Sequence, residues 1–352
     1  MLKKKIALIP DVQGWAFDIA ANIIKNNLSD EFDIDIFYAK ENNVKKTLFE
    51  ILEQLKSYDI IHFFWRAILL DFEKDDFKNE VILKYGDYDE YVSEIIPKIS
   101  TGVYDHLFEN DLNFNKTFTA YCNSYVVSSQ KLFDIYNNQN IKKPNCIMGD
   151  CFDSSLFFPE NLKRFDDIQN KDEKLIIGWV GNSSWNSKEK DSNNNPIDFK
   201  GFNTILKPVI EDMQNKNYNI ELFCADKNTN FVPNNKMREY YSKIHIYICV
   251  SDKEGTPKPL LEAMGCAVPI ITTDIGVAKQ ALGPLESNYI IGSRLIGQND
   301  NEIRILLEEK LKYLYNNREF LKMLSNENYK FSKQYEISEY QKIYRQYFRS
   351  LK

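Results

Sequence analysis

Ser251-Asp252-Lys253-Glu254-Gly255-Thr256-Pro257-Lys258-Pro259-Leu260-Leu261-Glu262-Ala263-Met264-Gly265 carries a carboxylate at each end of a loop-to-helix turn, with seven residues between Glu254 and Glu262. An apolar run ends just before it, Gly255 permits a tight turn, and Pro259 stands where a first helical turn begins. Carboxylates accept hydrogen bonds from hydroxyls, while the open amides of a helix start attract an anion. A sugar joined to a nucleoside diphosphate offers both kinds of group. A capped helix after a core strand accounts for Pro259 and the apolar residues but leaves the paired glutamates without a reason.

Such a turn needs a sheet to hold it, and the hydrophobic pattern predicts two. Ile6 to Ile9 is a strand closed by Pro10 to Gly14, Trp15 to Leu28 has helical spacing, and Phe32 to Tyr38 alternates as a strand does. Val44 to Leu55 reads as a helix, Asp59 to Phe64 and Ser124 to Ser129 as strands, and Ser129 to Tyr136 as a helix. Glu160 to Lys174, dense in charge and amide side chains, reads as a linker. The pattern then restarts: strands at Leu175 to Val180, Ile220 to Ala225, Ile244 to Val250 and Val268 to Thr272, and helices at Phe202 to Met213, Met237 to Lys243 and Leu260 to Gly265. Trp185 to Asn195 reads as a loop, and the chain from Asn301 onward as helical.

The expected fold is therefore α/β, with two Rossmann-like doubly wound parallel-sheet domains facing across a cleft. Residues 1–165 form the first, with a helix at 335–352 packing back on it, and residues 166–334 form the second. Ligands of open α/β sheets bind at the strand C-terminal ends, where loops and helix starts converge.

EGTPKPLLEAMGCAVPIITTDIG, from Glu254 to Gly276, resembles the EGxPxxxLEAMAxGxPVI signature of the retaining GT-B glycosyltransferases of family four, departing from it at Gly265-Cys266-Ala267. Asp150 to Pro159, DCFDSSLFFP, resembles that family's NGVDxxxFxP segment, and Lys200-Gly201 with Ile205-Leu206 resembles its KGxxxLI element. Asp59 to Arg66, DIIHFFWR, resembles its DVVHxH segment with Phe64 at the second histidine. Asn182 follows Gly181 where the family usually has arginine, and Lys188 or Lys190 is a candidate substitute for that charge, as open a reading as ordinary surface lysines.

The resemblance implies a retaining, metal-independent glycosyltransferase that moves a sugar from a UDP- or GDP-sugar to a hydroxyl of a glycan, lipid-linked or protein acceptor, in bacterial surface polysaccharide or glycoconjugate synthesis. Glu262 would bind the ribose and Glu254 the donor sugar. Lys200, Gly14 and the amides around Gly255, Thr256, Pro257 and Leu260 would hold the diphosphate, with Gly181, Asn182 and Gly201 beside it. A lysine ammonium suits an oxygen-rich leaving group, although Lys200 also reads as a solvated loop lysine. His62, Trp65, Arg66 and His106 are acceptor-side candidates, and His62 joins Glu254 and Lys200 as a catalytic candidate. Strand-closing structural roles for His62 and His106 stay open, and His245, inside an apolar run, reads as structural. Two other readings keep the fold: a non-hydrolysing sugar-nucleotide epimerase, or an inactive sugar-nucleotide binder motivated by Asn182 and Phe64.

Composition narrows the classes further. Of the 352 residues 43% are hydrophobic and 27% charged, which excludes a disordered chain, and a net charge of −6 argues against a nucleic-acid partner. Cys122, Cys146, Cys151, Cys224, Cys249 and Cys266 lack CxxC spacing and read as reduced thiols, with neither zinc nor disulfides. The first apolar run is too short for a signal-peptide core, and no stretch approaches a spanning helix. The expectation is a cytoplasmic protein without cofactor or metal, compatible with peripheral contact at the inner face of the membrane. Asp33-Ile34-Asp35 and Asp87-Tyr88-Asp89 match a metal-binding DxD string, but short acidic strings arise readily by chance among 51 acidic residues.

Overall fold

Two parallel sheets organise the chain in the computed structural model, which describes residues 3–41, 44–184, 190 and 197–351. The chain divides into two compact units, Met1–Asp150 with Ile337–Lys352, and Cys151–Glu336.

In the first unit, strands β1 (Lys5–Ile9) and β2 (Asp33–Ile36) precede a short antiparallel ladder of β3 (Lys40–Glu41) and β4 (Val44–Lys45). β5 (Ile60–Phe63), β6 (Ile99–Val103) and β7 (Ser124–Val127) follow, and the main sheet runs β2-β1-β5-β6-β7, all parallel. Every residue of β5, β6 and β7 is buried, as a sheet covered on both faces requires. The helix expected from Val44 begins only at Leu48, because Val44 and Lys45 are spent in β4. Thr47 and Glu50 then close a reciprocal capping box that fixes the helix start.

β6 has no counterpart among the strands expected from the sequence. Its Ser100 and Thr101 break the apolar run, yet both are buried and satisfied: Thr101 Oγ1 donates to Phe63 O at 2.8 Å, and Ser100 Oγ lies 2.8 Å from Tyr347 Oη. Tyr347 also lies 2.8 Å from Ser124 Oγ, so one phenol bridges β6 and β7. It belongs to the helix Ile337–Ser350, which packs on the helix Ala16–Leu28. Phe348 is fully buried with its ring 6.2 Å from Phe32, and Arg345 and Arg349 pair with Glu31.

The second unit holds β8 (Leu175–Gly181), β9 (Ile220–Asp226), β10 (Ile246–Cys249) and β11 (Ile270–Thr272), parallel in the order β11-β10-β8-β9. The unit boundary falls at Asp150–Cys151, earlier than the position near 165 read from the sequence. The reason is packing: Phe165 joins a core with Leu175 and Ile177, and Phe152 lies so close to Gly265 that a Cβ there would meet its ring at 2.5 Å. The charged stretch after Glu160 contains the short helix Arg164–Asp167 rather than an open linker. Helices Asp300–Asn316 and Glu319–Ser332 complete this unit. No helix among the described residues is long and apolar enough to cross a membrane.

Replacing Tyr347 by Phe removes the phenol from the buried Ser124 hydroxyl and leaves Ser100 with His62 alone. Urea unfolding should show a loss of about 1–3 kcal/mol, the cost of unsatisfied buried polar groups.

Candidate active site

In the second sheet the chain leaves β8 for β9 on one side and returns to β10 on the other. β8 and β10 are neighbours, so a crevice opens at their C-terminal ends, the topological switch point. Three segments meet in this region: the residues after β8, the residues after β10, and the loop 198–201. Gly201 brings the last two together. Its φ is +64°, and a Cβ on it would lie 2.4 Å from Val250 O, so only glycine fits. The helical segment that follows opens with a widened turn, Leu206 N donating to Gly201 O at 2.9 Å, before the α-helix Lys207–Asn215.

Lys200 Nζ is thereby set in contact with Glu254 Oε1, each side chain about one quarter exposed. Burial lowers the Lys200 pKa, and the neighbouring Glu254 charge more than offsets it, so the ammonium sits above its usual range. Ser251 Oγ donates to Phe199 O at 3.0 Å, and Asp252 N donates to the same carbonyl at 3.0 Å, lacing the lysine loop to the glutamate loop. Gly276 presses on the turn from behind: a Cβ there would lie 1.6 Å from Gly255 O, and Val277 N donates to that oxygen at 2.9 Å.

Helix Lys258–Gly265 starts after Pro257 without a side-chain cap. Leu260 is fully buried, Thr256 nearly so, and Leu260 N donates to Pro257 O at 2.9 Å. Glu262 is 5% exposed, and its Oε2 accepts a 3.0 Å hydrogen bond from Tyr241 Oη. Lys258 Nζ is buried and has no hydrogen-bond partner among the described residues. The sequence reading quoted this lysine without giving it a role, although its place at the first helical position was visible.

At the end of β8, Gly181 lies against the Trp179 ring. Asn182 Oδ1 accepts from Ser184 N at 3.1 Å and from Asn228 Nδ2 at 2.7 Å, so its amide organises the loop. Asp226, buried beside it, accepts from Ser183 N and Oγ and from Thr229 Oγ1. Lys190 is exposed, and Lys188 lies outside the described residues.

The first-unit candidates are more enclosed than their sequence positions suggest. His62 is fully buried, with Nδ1 2.6 Å from Ser100 Oγ and Nε2 3.3 Å from Tyr104 Oη, and burial pushes its pKa down to about 3. Arg66 is fully buried in a two-point pair with Asp105, at 2.8 and 3.2 Å. His106 is 1% exposed and turns Nδ1 to Glu109, while its Nε2 has no partner among the described residues. Trp65 is half-buried against Phe108. Phe64 is buried against Tyr104 and Phe17. Gly14 is exposed with φ +78°, but its N–H already donates to Asp18 Oδ2 at 2.8 Å. Of the two DxD strings, Asp35 accepts from Tyr58 Oη and Asp87 caps the helix Tyr88–Ile95.

Residues 215–331 match the family described as Glycosyl transferases group 1, a stretch that includes Glu254 and Glu262 but not Lys200. Sucrose-phosphate synthase from Thermosynechococcus elongatus has a similar structure, with a TM-score of 0.66 at 12% identity over 99% of this chain and 100% of that one. Anabaena HepE in complex with UDP-glucose gives 0.63 at 10% identity over 99% and 100%. A glycosyltransferase from Rickettsia africae gives 0.63 at 11% over 99% and 98%. At these identities the likeness to solved structures is one of fold. No curated protein sequence matches the chain. The two parallel-sheet units and the matched segment define a glycosyltransferase of the GT-B class. The match to glycosyl transferases group 1 covers residues 215–331, about a third of the chain.

Gly201→Ala should cost about 1–3 kcal/mol in urea unfolding, from the left-handed backbone and the clash with Val250 O. Below about pH 6.5 an unfolded histidine takes a proton that buried His62 refuses until about pH 3. Stability therefore falls as pH drops through that window, by up to about 1.4 kcal/mol per pH unit for this group. Urea midpoints between pH 7 and 5 should fall less steeply in His62→Asn than in the wild type, with His245, also held down to about 3 by burial, supplying a second share.

Proposed function

We propose that this chain transfers a sugar, with retention of configuration, from a UDP- or GDP-sugar to a hydroxyl of a glycan, lipid-linked or protein acceptor. The observation that carries the reading is the contact of Lys200 with Glu254 at the sheet's switch point, beside buried Glu262 and a helix start with no side-chain cap. In this assignment Glu262 binds the ribose, Glu254 binds the donor-sugar hydroxyls, and Lys200 with the amides of Gly255 to Leu260 takes the diphosphate. Lys258 supplies a second positive charge, a role supported by its buried ammonium, without a hydrogen-bond partner among the described residues, and by the neutral side chain at Asn182. A buried unpaired cation is costly, and a bound anion removes that cost.

The bond from the sugar's anomeric carbon to the leaving phosphate oxygen breaks, and a bond to the acceptor oxygen forms on the same face. The acceptor proton passes to the departing phosphate oxygen. Charge develops on the diphosphate, where Lys200 and the helix start stabilise it without reorganising. No metal ion or enzymic nucleophile has a part in this scheme. Buried His62, Arg66 and His106 support the first sheet, and Trp65 is left as the acceptor-side candidate. Bacterial surface polysaccharide or glycoconjugate synthesis is the setting proposed for the reaction.

Release of nucleoside diphosphate from UDP- and GDP-sugars, with and without glycan acceptors, tests this, and NMR of the product reads its anomeric configuration. Glu254→Gln should lower kcat by about 10²–10³-fold, the range for losing one preorganised polar contact in a transition state. Glu262→Ala should act mainly on donor KM. Wild-type turnover in Glu254→Gln would remove this residue from the site, and an inverted product would end the retaining assignment.

A further inference from the structure

Arg294 opens a short 3-10 turn, Arg294–Ile296, more than thirty residues past Glu262 and outside every motif quoted above. Its side chain is only 16% exposed. The guanidinium is spent largely on backbone: Nη1 donates to Asp198 O at 2.9 Å, and Nη2 donates to Phe199 O at 3.2 Å and to Val250 O at 3.4 Å. Asp300, 3.3 Å away, and Asp252, at 3.5 Å, balance its charge.

Those three carbonyls belong to two segments. Asp198 and Phe199 lead directly into Lys200, while Val250 leads into Ser251 and Glu254. Val250 O is also the atom against which Gly201 is pressed. We infer that Arg294 is a positioning residue of the donor site, a planar fork that joins the lysine loop to the glutamate loop and so holds Lys200 against Glu254. The inference rests on the donor-site reading for its meaning in catalysis. Its structural content stands on the contacts alone.

Lysine cannot replace this fork, because an ammonium is a single point of donors and the three carbonyls diverge. Loss of Arg294 does not cut the loops apart. Asp252 N and Ser251 Oγ still donate to Phe199 O, whereas Asp198 O and Val250 O lose the guanidinium. The expected result is a loosened pair within a folded unit.

The test reads Lys200 directly, in the full-length protein without ligand. Wild type, Arg294→Lys and Arg294→Ala are exposed to an amine-acylating reagent, and labelling at Lys200 is followed by mass spectrometry, with exposed Lys236 as the internal reference. Lys200 should label about tenfold faster or more in both variants, the change expected when a charge-assisted contact is lost. Lys236 should be unchanged, and methylguanidinium should restore slow labelling in Arg294→Ala. The dissociation constants of UDP and GDP should rise about 10- to 100-fold in parallel. Wild-type protection of Lys200 in Arg294→Lys, or an equal rise at Lys236, overturns the inference, and Arg294→Lys decides the matter should Arg294→Ala not fold. If wild type binds neither nucleotide, the donor reading fails while the labelling still decides what Arg294 does.

Discussion

Gly201 and the carbonyl of Val250 approach so closely that not even a methyl group fits between them. Much of the second unit's chemistry follows from that approach. It requires a left-handed backbone at residue 201, which turns the preceding residue, Lys200, toward the segment leaving β10. The same segment carries Glu254, so two opposite charges meet in a half-buried place where their attraction is stronger than in water. Lys200 and Glu254 thereby compensate each other's charge. The glycine at 276 and the arginine at 294 serve the same arrangement from other directions, one backing the turn and one gripping carbonyls.

The first unit solves a different problem. Its interior strand β6 carries a serine and a threonine into the sheet interior, where unpaired hydroxyls would be costly. Thr101 uses the carbonyl of Phe63, and Ser100 shares a phenol and an imidazole with its neighbours. His62 belongs to that arrangement as a neutral ring. Its two nitrogens meet the hydroxyls of Ser100 and Tyr104, and burial drives its proton off.

The parts of the fold that were legible in the sequence are those with local causes. Ile6 to Ile9 and Leu175 to Val180 are continuous apolar runs, and the EGTPKPLLEAMG stretch shows its turn glycine and its helix-starting proline in one line of text. β6 was not legible, because ISTGV has too few apolar residues and the partner that permits its serine lies 247 positions away. Histidine and arginine at the ends of strands looked available for a ligand, and burial by distant aromatic residues withdrew them. Arg294 was hidden for the opposite reason. It acts through backbone carbonyls, which leave no trace in residue identity, at separations of 96, 95 and 44 residues. Lys258 was in plain view, and only the lack of a hydrogen-bond partner among the described residues marks it.

The chain enters the second unit after Asp150 and returns to the first only at Ile337. During synthesis, every residue of the second unit therefore leaves the ribosome before the first unit receives the helix that carries Tyr347 and Phe348. Folding domain by domain, the usual course for chains of this size, then runs against the order of the sequence. The later-made unit then has all its elements first, while Ser100 and Ser124, in strands already made, wait with an incomplete interior around them for a tyrosine 247 and 223 residues further on.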